Sequence, residues 1–110
     1  MRLLIFLGLV GCALGADQAT IQKGEKVFDY WCATCHGAGA LPGTVALRVK
    51  YKGEKPAMLS ERTDLTPAVT KIFVRKGVSI MPFFRKTEVS DADLDAIGAY
   101  LARNNKSASR

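Results

Sequence analysis

The chain has 110 residues, a formal charge of +6 from 16 Lys/Arg against 10 Asp/Glu, 48% hydrophobic residues, three cysteines and one histidine. That length allows one small domain and excludes a multidomain enzyme. So few cysteines exclude a disulfide-dense mini-protein, and the hydrophobic content is that of a folded chain rather than a disordered one.

Positions 1–16 combine Arg2, the apolar run Leu3–Val10 and the small residues Ala13, Gly15 and Ala16. A bilayer span needs about 20 apolar residues, so this run is too short to cross one. The pattern reads as a secretory signal peptide cleaved next to Ala16. Leu9-Val10-Gly11-Cys12 also matches a bacterial lipobox, which would lipidate Cys12; a buried N-terminal helix is the remaining alternative. Either export route places the mature chain in the periplasm, with a membrane attachment only if Cys12 is lipidated. Without its leader the chain has about 94 residues, a marginal size for a hydrophobic core without a staple or ligand.

A first helix is expected over about 20–33, capped by Thr20, with Ile21, Gly24, Phe28, Trp31, Cys32 and Cys35 recurring every three or four positions. It leads into Cys32-Ala33-Thr34-Cys35-His36. Two cysteines three apart emerge on one helical face, where both thiols can add to one porphyrin, and the next residue offers an imidazole to its iron. C-x-x-C-H is the pattern of covalent c-type haem attachment, and here it uses the chain's single histidine. A thioredoxin-like redox pair lacks the βαβ surroundings such a site needs. A local disulfide would close a very small loop, and zinc would want a further ligand.

Residues 37–64 are rich in Gly, Pro and Lys. They predict an extended loop with one short helix near 44–50, and a loop of that length suggests a segment that wraps something. Thr66, Pro67 and Gly77 bracket a helix over 67–76 whose inner stripe is Val69, Ile72 and Phe73; Arg75 falls on its surface side. Ser90 caps a last helix over about 91–103, with Asp91 and Asp93 in its first turn and Leu94, Ile97, Gly98 and Leu101 on one face. A polar tail follows from Asn104. No segment alternates like a strand, so the fold is all-α.

One histidine excludes bis-histidine ligation, and methionine is the usual sixth ligand in electron-transfer cytochromes. Met58 and Met81 are the candidates in the mature chain. Met58 reads as a packing residue. Met81 stands in an apolar loop, and Pro82 restricts it to extended backbone. An open sixth position is the other reading, and it would make the chain a ligand-binding or sensory haem protein. Carrying an electron needs no general base or nucleophile, so the chain reads as a carrier and not an enzyme.

Gly24, Phe28, Cys32-Ala-Thr-Cys35-His36, Met81-Pro82 and Leu94-Asp-Ala-Ile97-Gly98-Ala-Tyr100-Leu101 together resemble the class I cytochrome c family over roughly 20–103. The resemblance implies three to five helices around one covalent haem c, with His36 and Met81 as axial ligands, in a domain over 17–104 followed by a flexible tail at 105–110. It also implies that the first and last helices cross closely, with Gly24 against Gly98 and Phe28 beside Tyr100. Pro42 is similar to the family proline whose carbonyl orients the histidine, and Arg62 lies where the family places a group facing a haem propionate. Tyr51 and Arg48 are further candidates for that place.

Arg75-Lys76-Gly77…Met81-Pro82-Phe83-Phe84 resembles small bacterial cytochromes that serve flavoprotein dehydrogenases, of the p-cresol methylhydroxylase cytochrome-subunit type. That implies a flavoprotein donor and a cytochrome or oxidase acceptor in the respiratory chain. A general shuttle between a quinol-oxidising complex and a terminal oxidase is the alternative. Lys50, Lys52, Lys55, Lys76, Arg85 and Lys86 could ring the haem edge and steer an acidic partner. These basic residues form no recognised nucleic-acid-binding module, so no nucleic-acid partner is expected.

Overall fold

The computed structural model describes residues 16–107 together with Gly8. The signal-peptide and lipobox readings, Cys12 included, therefore lie outside the described residues, as does the end of the tail at 108–110. Among the described residues there are five α-helices and no strand, in agreement with the all-α class I cytochrome c expectation.

Helix α1 runs Gln18–Trp31, two residues earlier than expected. Thr20 does not cap it. Its backbone N–H donates to the Asp17 carboxylate at 2.7 Å, and a negative side chain at a helix N-terminus also complements the helix dipole. Cys32 interrupts the helix, and one further turn, α2 (Ala33–His36), follows. Helix α3 covers Pro42–Tyr51, so the short helix expected near 44–50 begins two residues earlier, at Pro42, and ends one later, within a segment that is otherwise mostly loop. Lys52 and Gly53 end it in left-handed conformations, at φ 49° and 84°. A single 3₁₀ turn, Leu59–Glu61, precedes α4 (Pro67–Lys76), and α5 (Asp91–Ala102) comes last. Thr66 and Ser90 cap α4 and α5 through their hydroxyls.

The core joins α1, α4 and α5 through Phe28, Leu65, Val74, Val89, Leu94, Ile97, Tyr100 and Leu101. Phe28 and Tyr100 pack as a tilted aromatic pair with centroids 5.6 Å apart. The expected Gly24–Gly98 contact does not form. Gly24 meets the Ala96 carbonyl and Tyr100 Cβ, whereas Gly98 lies against Pro67 of α4. Helical geometry accounts for the difference: Ala96 and Tyr100 are four apart and share a face, and Gly98, two from each, points away.

The expected inner stripe of α4 is also on the other side. Thr70 and Val74 are buried against the core, while Val69, Ile72 and Phe73 are exposed. The helix thus carries two apolar faces, and only one is spent on packing against α5. The start of the polar tail is fastened: Asn105 donates to the Leu65 carbonyl at 3.0 Å, and Arg103 Nη2 to that of Ser60 at 2.9 Å.

Candidate functional site

The C-x-x-C-H segment occupies the break between α1 and α2. The Cys35 and His36 amides both donate to the Cys32 carbonyl, at 3.1 and 2.9 Å, so the three candidate residues share one helical turn. Cys32 is half-buried, Cys35 is exposed, and both are free thiols. Burial, reinforced by nearby Cys35, pushes the Cys32 thiol up to about 11. A thiol–disulfide catalyst needs a lowered thiol pKa, so this environment disfavours that chemistry.

His36 is half-buried, and burial lowers its pKa, which keeps the imidazole neutral and fit to ligate a metal. Its Nδ1 is buried with no hydrogen-bond partner. The start of α3 lies against this ring. A Cβ on Gly43 would stand 2.8 Å from His36 Cε1, 3.0 Å from Nδ1 and 2.7 Å from the Cys35 carbonyl oxygen. Beside it Thr44 is fully buried, and its hydroxyl donates to the Gly37 carbonyl at 2.6 Å with the Cys35 carbonyl at 3.4 Å. Thr44 thereby satisfies carbonyls left open at the C-terminal end of α2.

Met81 is half-buried and packs on the core, as Cys32 does. Its N–H and C=O pair with those of Val78 at 2.9 and 3.1 Å, closing a tight turn. Ser79 takes φ 53° in that turn, and Gly77 precedes it at φ 68°. A Cβ on Gly77 would lie 2.7 Å from the Met81 carbonyl oxygen, so the loop folds closely over the end of α4.

Two unpaired thiols one turn apart, a neutral imidazole beside them and an apolar α4 face fit a covalently held haem. A family model described as cytochrome c oxidase, cbb3-type, subunit III matches residues 19–101. The chain belongs to that family. It is accordingly a c-type cytochrome, an electron carrier and not an enzyme. No curated protein and no solved structure matches it.

In this cytochrome Pro42 makes no hydrogen bond with His36, and Arg62 is held by neighbours within the chain. Pro42 is exposed and forms the first turn of α3, where a carbonyl points along the helix axis; the buried His36 Nδ1 donates no hydrogen bond to it. Gly43 and Thr44, which sequence reasoning passed over, are the residues of α3 that touch the C-x-x-C-H turn.

Arg62 is buried, and three of the five N–H donors of its guanidinium are engaged within the chain. Nε and Nη2 donate to the two Asp64 carboxylate oxygens at 2.6 and 2.8 Å, and Nη1 donates to the Tyr51 hydroxyl at 2.7 Å. Those bonds, led by Arg62 and followed by Lys55, hold the Asp64 carboxyl well below the usual carboxylate range. The Arg-x-Asp spacing was the available signal for this pair. The Tyr51 contact had none, because it depends on how α3 returns toward residue 62.

Proposed function

We propose that this c-type cytochrome binds one haem, which Cys32 and Cys35 would tether and whose iron His36 and Met81 would ligate. The observation that carries this reading is the single helical turn shared by Cys32, Cys35 and His36, with both thiols unpaired. When bound, the haem supplies the one-electron couple. The polypeptide holds the imidazole neutral, fixes the Met81 backbone in its turn and presents an apolar wall. Arg62, with its charge matched by Asp64, offers the haem carboxylates N–H donors rather than net charge. A methionine ligand raises the potential relative to bis-histidine ligation.

A periplasmic flavoprotein dehydrogenase is the donor and the respiratory chain the acceptor. Support comes from the Met81-Pro82-Phe83-Phe84 pattern and from exposed Arg85 and Lys86, which suit an acidic docking face. The family match favours a second reading of the acceptor side, in which electrons pass directly to a terminal oxidase. Export follows from the leader pattern, and mass spectrometry of the mature N-terminus separates cleavage near Ala16 from lipidation at Cys12.

A pyridine haemochrome spectrum with intact mass tests the cofactor: one haem c per chain is expected, and none would overturn the reading. Met81→Ala tests the ligand. The weak sulfur-to-iron band of the oxidised protein should vanish and the potential should fall, whereas an unchanged potential removes Met81 from the iron. Stopped-flow mixing with a reduced flavoprotein dehydrogenase tests the partner. Reduction no faster than that of an unrelated cytochrome counts against a dedicated donor.

A further inference from the structure

Arg75 was expected on the outer surface of α4. Instead its side chain is about three-quarters buried, with 24% relative exposure, and it bridges two other parts of the chain. Nη1 donates to the Phe84 carbonyl at 3.1 Å, and Nη2 donates to Asp91 Oδ1 at 2.9 Å at the first residue of α5. The Asp91 carboxylate also takes Lys86 Nζ at 3.1 Å.

Phe84 is the downstream anchor of the Met81 loop. Its amide donates to the Val74 carbonyl at 2.8 Å, so both polar groups of its backbone are held, one by α4 and one by Arg75. Its ring meets the edge of Trp31 with centroids 6.0 Å apart, and Trp31 adjoins Cys32. One residue therefore registers the Met81 loop against the C-x-x-C-H end of α1. At the upstream anchor the Gly77 amide closes α4 on the Phe73 carbonyl at 2.8 Å. Between the anchors Val78, Ile80 and Phe83 are exposed and Met81 alone packs on the core, so the loop's hold on the rest of the chain rests on Met81 and on its two ends.

We propose that Arg75 is a positioning residue for Met81: its two-armed bridge from α4 to Phe84 and Asp91 keeps the loop closed and the Met81 sulfur directed at the iron. The inference rests on Met81 being the sixth ligand. Loss of the bridge raises the population of the open loop, and an external ligand that binds only the open form then binds more tightly in proportion.

The test uses the oxidised holo-cytochrome with imidazole as the probe, comparing wild type, Arg75→Gln, Arg75→Lys, Asp91→Asn and Met81→Ala. Arg75→Gln should bind imidazole about tenfold more tightly, the order expected for losing a hydrogen-bonded charge, and should lose the sulfur-to-iron band at a temperature clearly below global unfolding by far-UV circular dichroism. Its Phe84 amide should exchange faster. Arg75→Lys keeps the charge but not the two-armed geometry, so it should fall between. Asp91→Asn leaves the Phe84 arm intact, should show a smaller shift, and carries the test if Arg75→Gln fails to fold. An unchanged imidazole affinity and a band lost only with global unfolding, in Arg75→Gln or in Asp91→Asn standing in for it, would overturn the proposal. If Met81→Ala keeps the band, the ligand assignment itself fails; if Met81→Ala abolishes it and the Arg75 variants change nothing, only the bridge fails.

Discussion

Gly24 in α1 lies directly on the backbone carbonyl of Ala96 in α5. A Cβ at position 24 would fall within that carbonyl group and 2.8 Å from Tyr100 Cβ. Neither neighbour is the free end of a flexible side chain, so the helices must part to admit a methyl group. Gly24→Ala should therefore lower stability by about 2–3 kcal/mol or prevent folding, which is the upper range for overpacking a core. Gly98→Ala is the comparison. There the nearest atoms are Pro67 Cα and Cβ at 3.1 Å. Crowding is offset by the roughly 1 kcal/mol that alanine gains over glycine inside a helix, leaving a net change within about 1 kcal/mol. Denaturant unfolding of the holo-protein measures both, and equal effects would contradict the assigned crossing.

The contrast between these glycines shows what was legible in the chain. Thr66, Pro67 and Gly77 are local signals, and they mark the ends of α4 as the structure has them. The C-x-x-C-H turn is equally local, since its residues need no distant partner to share a face. The Gly24–Gly98 contact failed because family likeness named two glycines while the helical repeat turns Gly98 toward α4. The reading of Val69, Ile72 and Phe73 failed because apolarity marks a face without saying what covers it. Thr44, Gly43 and Arg75 act on carbonyls or a ring that the chain brings back from seven or more residues away, and no spacing rule announces them.

Thr44 tests one of these illegible contacts. Its hydroxyl serves the Gly37 carbonyl at 2.6 Å from a fully buried position. Thr44→Val keeps the shape but leaves a carbonyl without a donor, at a cost of about 1–3 kcal/mol. The loss should centre on α2: amide exchange at Cys35 and His36 should quicken more than exchange in α5. Uniform acceleration across both helices would assign Thr44 to general packing and not to holding α2.

Asp64 contributes to the acid limb of stability. Arg62 first and Lys55 second depress its folded pKa below the ordinary value of 3.8. A depressed carboxylate stabilises the fold above its unfolded pKa, and that contribution fades as pH falls through the folded value. Stability from this group is thus level above about pH 5 and declines below about pH 4. Asp64→Asn should cost about 1–2 kcal/mol at pH 7, a figure held down because the carboxylate is 44% exposed. The variant should also lose less stability than wild type between neutral pH and acid. Urea unfolding across that range checks the sign, and parallel curves would show that Asp64 does not titrate with folding.

Gly43 offers the sharpest separation of ligand geometry from stability. The atoms that a Cβ there would meet belong to His36 and to the Cys35 carbonyl, the nearest at 2.7 Å. Alanine is also the better helix former by roughly 1 kcal/mol, and position 43 lies in the first turn of α3. The strain therefore falls on the Cys35 carbonyl and on the imidazole orientation together, both within the C-x-x-C-H turn. Gly43→Ala should fold and take up haem, but its ferric paramagnetic NMR shifts and midpoint potential should move because the ring has turned. Gly39→Ala is the control: φ is +95° there and nothing lies within 4 Å of a Cβ. It should cost about 1 kcal/mol or more of backbone strain and leave the ligand spectrum alone. If both variants leave the spectrum and potential where wild type has them, the α3 N-terminus does not set the His36 ring. If only Gly43→Ala moves them, the orientation that a hydrogen-bonded carbonyl was expected to provide comes instead from a glycine that leaves the ring just enough room.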